Sequence, residues 1–394
     1  MMCSTRPRVS VPGVEQRRVL PTDVGSNLPA DPTYYYTEGL KAYSLEQNTA
    51  RASELFGQAI KLDPSHSPSY YAMANNIAEQ DISKALEYSR RANELDSTNV
   101  WYKMQLARLK VFNGQYDQAR GNYEELIRIA PRDPENYRML AALNEYAGRP
   151  FAAVSILDSA ENKLGRIEEL ASYKLQLLIK LSLFDRAISE SEAMVEEFPY
   201  QHENYVILGD LYAGKKQDSL SLANYRMALT LNPEAPEAQI ALNQYYKIKG
   251  DSRSYLTTAK AIFENPAVEL SEKLKFFDEV TRSRDFYGAN YYQIGELAST
   301  LLMRYPDNFE ALNVYGGHLI ASGGLEDALK LYKGYLVKPD APKEAFHIVL
   351  EGEAYLNRMD SVDKYTLMAL DRFPNDVDFY MQRGSAMLYM KDYK

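Results

Sequence analysis

The chain has 394 residues, a formal net charge of −9, one cysteine, one tryptophan and 32 tyrosines. A single cysteine excludes an internal disulfide framework and any cysteine-based zinc site, and the acidic balance argues against broad nucleic-acid binding. No apolar run approaches the roughly 20 residues that a membrane-crossing helix needs, so no transmembrane span is expected.

Residues 1–32 differ from the rest. Five prolines (Pro7, Pro12, Pro21, Pro29 and Pro32) interrupt any helical period, and four arginines face three acids. This composition predicts an extended, Pro-rich tether, with the acidic excess carried by residues 33–394. Cys3-Ser4 at its head resembles the mature start of a bacterial lipoprotein, a family in which that cysteine is acylated and a disordered spacer holds the folded part off the membrane. The resemblance implies Cys3 as a lipid-attachment site and the cell envelope, facing periplasm or surface, as the location. It departs from the family in that only Met1-Met2 precede the cysteine, with no charged and apolar leader. The alternative is an incidental cysteine in the leader of a cytoplasmic protein.

From about Tyr34 onward a break recurs after each apolar stretch: Pro64, Ser97, Pro131, Gly165, Pro199, Pro233, Pro266, Pro306, Pro339 and Pro374, at spacings of 33 to 35 residues with one of 40. Within the units the residues agree. Tyr205, Leu208, Gly209 and Tyr212 fall at i, i+3, i+4 and i+7, one face of a helix; Ala52, Phe56 and Ala59 fall on one face of a second. Small residues such as Gly209, Ala119, Ala228 and Ala328 let two helix backbones approach while aromatics fill the space beside them. Asn113-Gly114, Gly148 and Gly323-Gly324 separate the two helices, and proline ends the second.

This pattern resembles the tetratricopeptide repeat (TPR) family, an aromatic, Leu-Gly, Tyr, then Ala, aromatic, Ala and Pro over about 34 residues. The resemblance implies an all-α, right-handed superhelical solenoid of about ten helical hairpins plus a partial one. The repeats run approximately over 33–66, 67–99, 100–133, 134–167, 168–201, 202–235, 236–268, 269–308, 309–341 and 342–376, with a partial unit over 377–394. The unit holding Tyr255 and Ile262 matches weakly, and the next is lengthened at Ser283–Asn290. On this reading the tyrosines fill packing positions between helices, with their hydroxyls at the rim.

No catalytic constellation is found. His66, His202, His318 and His347 fall in different repeats without metal-ligand spacing, and Gly316-Gly317 and Gly323-Gly324 lack the strand and Lys-Ser/Thr of a phosphate loop. No metal or cofactor is expected, and the chain is not read as an enzyme. What remains is surface. By the family's pattern, the second, fifth, ninth, twelfth and thirteenth residues of each repeat line the concave groove. The third repeat then offers Trp101, Met104, Arg108, Val111 and Phe112, and the fourth Arg138 and Tyr146, an aromatic and Met cluster with two arginines. Trp101, Met104, Arg108, Phe112, Arg138 and Tyr146 are therefore the candidate contacts for a partner protein or extended peptide, the alternative being that Trp101 and Phe112 pack against the neighbouring repeat. Later repeats present a more polar groove through Glu203, Val206, Asp210, Glu237, Ile240, Gln244 and Lys247. Co-chaperones of the family that grip a C-terminal carboxylate use Lys and Asn, then Asn, then Lys and Arg at positions held here by Thr37 and Lys41, by Tyr71 (or Ala72), and by Trp101 and Gln105; only the charge of Lys41 is present, where Asn is expected, which argues against that use.

Two other functions stay open. A glycan-binding lipoprotein resembling the SusD family would need long irregular loops, which the chain lacks after position 33. The array could also be the regulatory part of an enzyme continuing past residue 394, since Phe379–Tyr389 reads as the first helix of a further repeat.

Overall fold

A computed structural model describes residues 31–390, which form 22 helices and, among the described residues, no strand. Residues 1–30, with Cys3 and most of the Pro-rich leader, and Lys391–Lys394 lie outside the described residues; Pro32, placed in the leader by the sequence, opens α1. The helices are α1 (Pro32–Ser44), α2 (Thr49–Leu62), α3 (Ser67–Ile77), α4 (Ile82–Leu95), α5 (Val100–Phe112), α6 (Tyr116–Ile129), α7 (Pro134–Tyr146), α8 (Pro150–Leu164), α9 (Glu168–Lys180), α10 (Phe184–Glu197) and α11 (His202–Gly214). They continue as α12 (Asp218–Leu231), α13 (Pro236–Ile248), α14 (Ser252–Glu264), α15 (Leu270–Arg282), α16 (Arg284–Ala289), α17 (Tyr291–Arg304), α18 (Phe309–Ala321), α19 (Leu325–Tyr335), α20 (Lys343–Tyr355), α21 (Met359–Arg372) and α22 (Val377–Tyr389).

Local chemistry sets most boundaries. Asp31, Asn48, Asp81, Asn99, Asp133, Asp251, Asn308 and Asp376 each accept a backbone N–H from the first turn of the helix they precede, satisfying a donor the helix leaves unpaired. Pro32, Pro68, Pro134, Pro150 and Pro236 occupy first turns, where the missing N–H costs nothing. Between the two helices of most hairpins the chain passes through a left-handed residue, at Gln47, Gly114, Gly148, Ser182, Lys216, Gly250, Gly323 and Asn357. The conformation recurs at the repeat spacing, yet only four of these positions hold glycine. The turn geometry is therefore imposed by the hairpin and not only by the residue that suits it best.

Contacts divide the chain into two units, Met1–Leu177 and Leu178–Lys394. In the first, α1 packs on α2, α2 on α3, and so on in order to α8, while α1 also touches α3, so that first helices stand side by side. Its core is made of fully buried alanines (Ala52, Ala59, Ala85, Ala119, Ala141) set against Phe56, Tyr123 and Leu126. The second unit follows the same order from α10 to α22, with one irregularity. The lengthened repeat holds three helices: α14 packs against α17, α15 reaches α18, and the six-residue α16 stands between α15 and α17. Ser283 caps α16 by accepting from Phe286 N at 3.3 Å, and Asn290 ends it. Lys273 of α15, fully buried, donates to Asn265 O at 2.7 Å and to the Tyr305 hydroxyl at 3.2 Å, tying the end of α14 to the end of α17.

Eight tyrosines (Tyr102, Tyr123, Tyr137, Tyr212, Tyr225, Tyr255, Tyr332 and Tyr335) are buried packing residues. Others, among them Tyr146, Tyr200, Tyr292 and Tyr355, are largely exposed, so packing accounts for only part of the tyrosine excess.

Candidate functional site

In the first unit a cleft of about 590 Å³ lies between α3 and α5. Asn99 caps α5 by accepting from Trp101 N at 3.0 Å, which fixes where the helix starts and therefore which residues share its open face. Trp101, Met104, Gln105, Arg108, Leu109 and Phe112 then line one wall. Tyr71, Asn75, Ala78 and Glu79 of α3 and its C-terminal end, with Ile82 from the start of α4, form the other. Gln105 joins the walls, its amide donating to Tyr71 O and to Asn75 Oδ1, each at 2.8 Å. Below them the Tyr71 and Tyr102 rings pack with centroids 5.1 Å apart.

Exposure separates the roles. Trp101 is 67% and Phe112 80% exposed, whereas Met104 is buried and belongs to the core beneath. Neither large aromatic is covered by the neighbouring repeat. Arg108 is also exposed, and no carboxylate pairs with it among the described residues. Its guanidinium lies near the buried Tyr123 hydroxyl. Burial pushes that phenol up to about 12, the field of Glu135 adding to the shift and those of Arg108 and Arg138 opposing it.

Four of the six residues expected to contact a partner are thus brought together: Trp101, Met104, Arg108 and Phe112. Arg138 and Tyr146 stand on the next first helix, α7, outside this cleft. Arg138 is held by Glu135 through two bonds, Nε–Oε2 at 2.6 Å and a terminal nitrogen to Oε1 at 2.8 Å, with Glu169 at 3.5 Å. That pairing keeps its charge strongly favoured and leaves it committed inside the protein. Tyr146 is exposed and packs on Tyr116 with ring centroids 4.5 Å apart.

Periodicity and the family's pattern did not assign Tyr71, Asn75, Glu79, Ile82 or Gln105 to the site. A signal for Gln105 does exist in the sequence: Trp101, Gln105, Arg108 and Phe112 recur at the spacing of one helix face. No such periodicity within α5 could supply Tyr71 and Asn75, because they arrive from another helix.

A group of potential metal ligands lies in the other unit. His202, Glu203 and Glu237 bring oxygen and nitrogen atoms within 4.8 Å of one another. Each ring nitrogen already faces a carboxylate, Nε2 with Glu237 at 2.8 Å and Nδ1 with Glu203 at 3.2 Å, and Asn232 approaches Nε2 at 3.4 Å. The two carboxylates meet opposite edges of the ring, an arrangement suited to joining α11 to α13 rather than converging on one ion.

Residues 76–143 match the family described as "Tetratricopeptide repeat", a span that contains α5 and most of α7. The anaphase-promoting complex subunit 3 of Schizosaccharomyces pombe is 24% identical over 197 residues, covering 49% of this chain and 29% of that protein. The chain therefore spans less than a third of the length of this curated relative. Among solved structures, the C-terminal part of a TPR repeat-containing protein from Cytophaga hutchinsonii is 14% identical and covers 60% of this chain and 97% of its own, with a TM-score of 0.51, a likeness of fold. A tetratricopeptide repeat protein from Parabacteroides merdae is 13% identical over 60% of this chain and 93% of its own, with a TM-score of 0.39.

Proposed function

Because residues 76–143 match the tetratricopeptide-repeat family, whose arrays are generally scaffolds for protein contacts, we propose that the chain is a non-enzymatic interaction scaffold that holds a partner protein or extended peptide in the cleft between α3 and α5. One observation carries the reading. Trp101 and Phe112 stand exposed on either side of an unpaired Arg108, over a floor made by Met104 and Leu109. Large aromatics beside an arginine are the residue types that dominate binding energy at interfaces, and a helix presents them without a backbone ordering cost. A peptide laid along α5 would bury the two rings and offer a carboxylate or carbonyl to Arg108.

Trp101 is the sole tryptophan of the chain, so its fluorescence reports this site alone. Peptides selected against the whole protein from a random displayed library are expected to shift its emission to the blue as the ring leaves water. Arg108→Glu should weaken those peptides by tenfold or more, and Trp101→Ala by a similar factor measured by calorimetry, with circular dichroism and melting unchanged. Selected peptides that bind both variants as they bind the parent protein would rule this cleft out. Acylation at Cys3 would place the scaffold at a membrane surface, and mass spectrometry of the protein expressed from its full gene tests that: an unmodified Cys3 in an uncleaved leader ends the lipoprotein reading.

A further inference from the structure

Where α5 turns into α6 and α7 into α8, the first unit leaves rings in water that neither hairpin requires. Tyr146, the last residue of α7, is 71% exposed and packs on Tyr116, the first residue of α6, with ring centroids 4.5 Å apart, so the two neighbouring turns are joined. Phe151, in the first turn of α8, is 64% exposed on the same edge. The equivalent turns of the first two repeats read Glu46-Gln47-Asn48 and Glu79-Gln80-Asp81, so polar residues suffice to close a hairpin there. Large rings exposed together at adjacent turns mark a contact surface.

The charges on this edge restrict what it fits. Asp117 follows Tyr116, and although Arg120 holds one of its oxygens at 2.9 Å, 85% of the Asp117 side chain stays exposed. Arg149 precedes Pro150 and Phe151; it is exposed, and no carboxylate pairs with it among the described residues. The third-repeat turn thus presents an anion beside a ring, and the fourth-repeat turn a cation beside a ring. A contact between two identical copies needs a patch complementary to itself, and this pair of turns meets that condition. A two-fold axis lying between the turns sets the third-repeat turn of one copy on the fourth-repeat turn of the other. Asp117 then faces the partner's Arg149, Arg149 faces the partner's Asp117, and Phe151 faces the partner's Tyr116. The Tyr116–Tyr146 pair, at the axis, covers its own copy. Setting like turn on like turn would bring like charges together, so the charges select the register. A lipid surface would take the rings but gains nothing from the opposed signs.

We propose that the edge formed by the α5–α6 and α7–α8 turns is a homodimer interface, in which Asp117 and Arg149 pair reciprocally around a core of Tyr116, Tyr146 and Phe151. The rings supply the energy and the charges fix the partner and its orientation. Two turns make a small interface, which places the dimer among weak, reversible associations. The contact requires neither Trp101 nor Arg108 and stands apart from the α3–α5 cleft.

Sedimentation equilibrium of the full chain from about 1 µM to about 1 mM spans the range of such interfaces and should show a monomer–dimer equilibrium. Arg149→Asp should weaken it by at least about tenfold, and so should Asp117→Arg, because each variant places two like-charge pairs across the axis. Mixed in equal amounts, the two variants should associate again as a heterodimer, since every facing pair then has opposite signs. Phe151→Ser should weaken all combinations, with circular dichroism unchanged. A chain that stays monomeric throughout, dimerisation indifferent to Arg149→Asp, or a mixture that remains monomeric would each overturn the proposal. In the first case, co-sedimentation with phosphatidylcholine vesicles would assign the rings to a lipid surface instead.

Discussion

Gly209→Ala is a substitution for which two physical arguments give opposite signs. Gly209 lies inside α11, where alanine is the better helix former by about 1 kcal/mol, so propensity alone expects stabilisation. The tertiary structure expects the reverse. A Cβ at this position would stand 2.5 Å from Tyr225 Cε1 and 2.7 Å from Cδ1, against ordinary carbon contacts of about 3.5 Å. The ring must therefore retreat by about 1 Å, yet it is 3% exposed and its hydroxyl donates to Asp210 Oδ1 at 2.6 Å. Overpacking of this kind costs about 1–3 kcal/mol, and disturbing the hydroxyl's bond adds about 1 kcal/mol. Less the gain in propensity, Gly209→Ala should destabilise the protein by about 1–3 kcal/mol. Urea unfolding with hydrogen exchange on α11 and α12 measures it. Tyr225→Leu should relieve most of the cost in the double variant, since the two positions are directly coupled. Gly121→Ala supplies the control: it lies in α6 with no atom within 4 Å of the added Cβ and should stabilise by up to about 1 kcal/mol. A Gly209→Ala protein as stable as the parent would refute the close-approach argument. The same reasoning would then fail for Gly39 against Phe56 and Gly316 against Tyr332, where the distances are 2.5 and 2.6 Å.

Other outcomes rest on the same geometry. Gly148→Ala, at φ 71° in the turn after α7, should cost about 1–2 kcal/mol by urea unfolding, because the added Cβ disfavours the left-handed conformation. His318, stacked on Tyr291 with centroids 4.3 Å apart, is held below its ordinary value by burial. A histidine that resists protonation when folded contributes stability above its unfolded pKa of about 6.5 and loses it as the pH falls toward its folded value; His318→Gln should therefore flatten the decline in stability below about pH 6.5. Thermal or urea unfolding of the two proteins across that pH range measures the difference. End repeats should exchange amide hydrogens faster than central ones, because each hairpin is stabilised only by its neighbours.

Much of this organisation was legible in the chain itself, for a physical reason. A hairpin of about 34 residues is closed by local devices (Asn or Asp caps, a small residue such as Gly209 facing an aromatic such as Tyr225, a Pro after the second helix), and local devices are written in consecutive residues. That includes the lengthened repeat, whose extra residues 283–290 become α16 and its two caps. Left-handed turns at Ser182, Lys216 and Asn357 were not legible, because the hairpin imposes there a conformation that the residue does not announce.

The candidate site divides along the same line. Trp101, Arg108 and Phe112 share one helix face by periodicity alone, and that much belongs to the sequence. Their exposure was decided by packing: the neighbouring repeat buries Met104 and Tyr102 and leaves Trp101 and Phe112 uncovered. Arg138 shares the groove pattern, yet Glu135, one turn away, binds it through both oxygens and withdraws it. A cleft in the second unit was least visible of all, since Tyr246, Tyr255, Glu279 and Phe286, which line it, come from four helices. Repetition determines which helices form, because that information is local; which side chains remain free at their junctions is set by contacts between helices and could be read only from the folded chain.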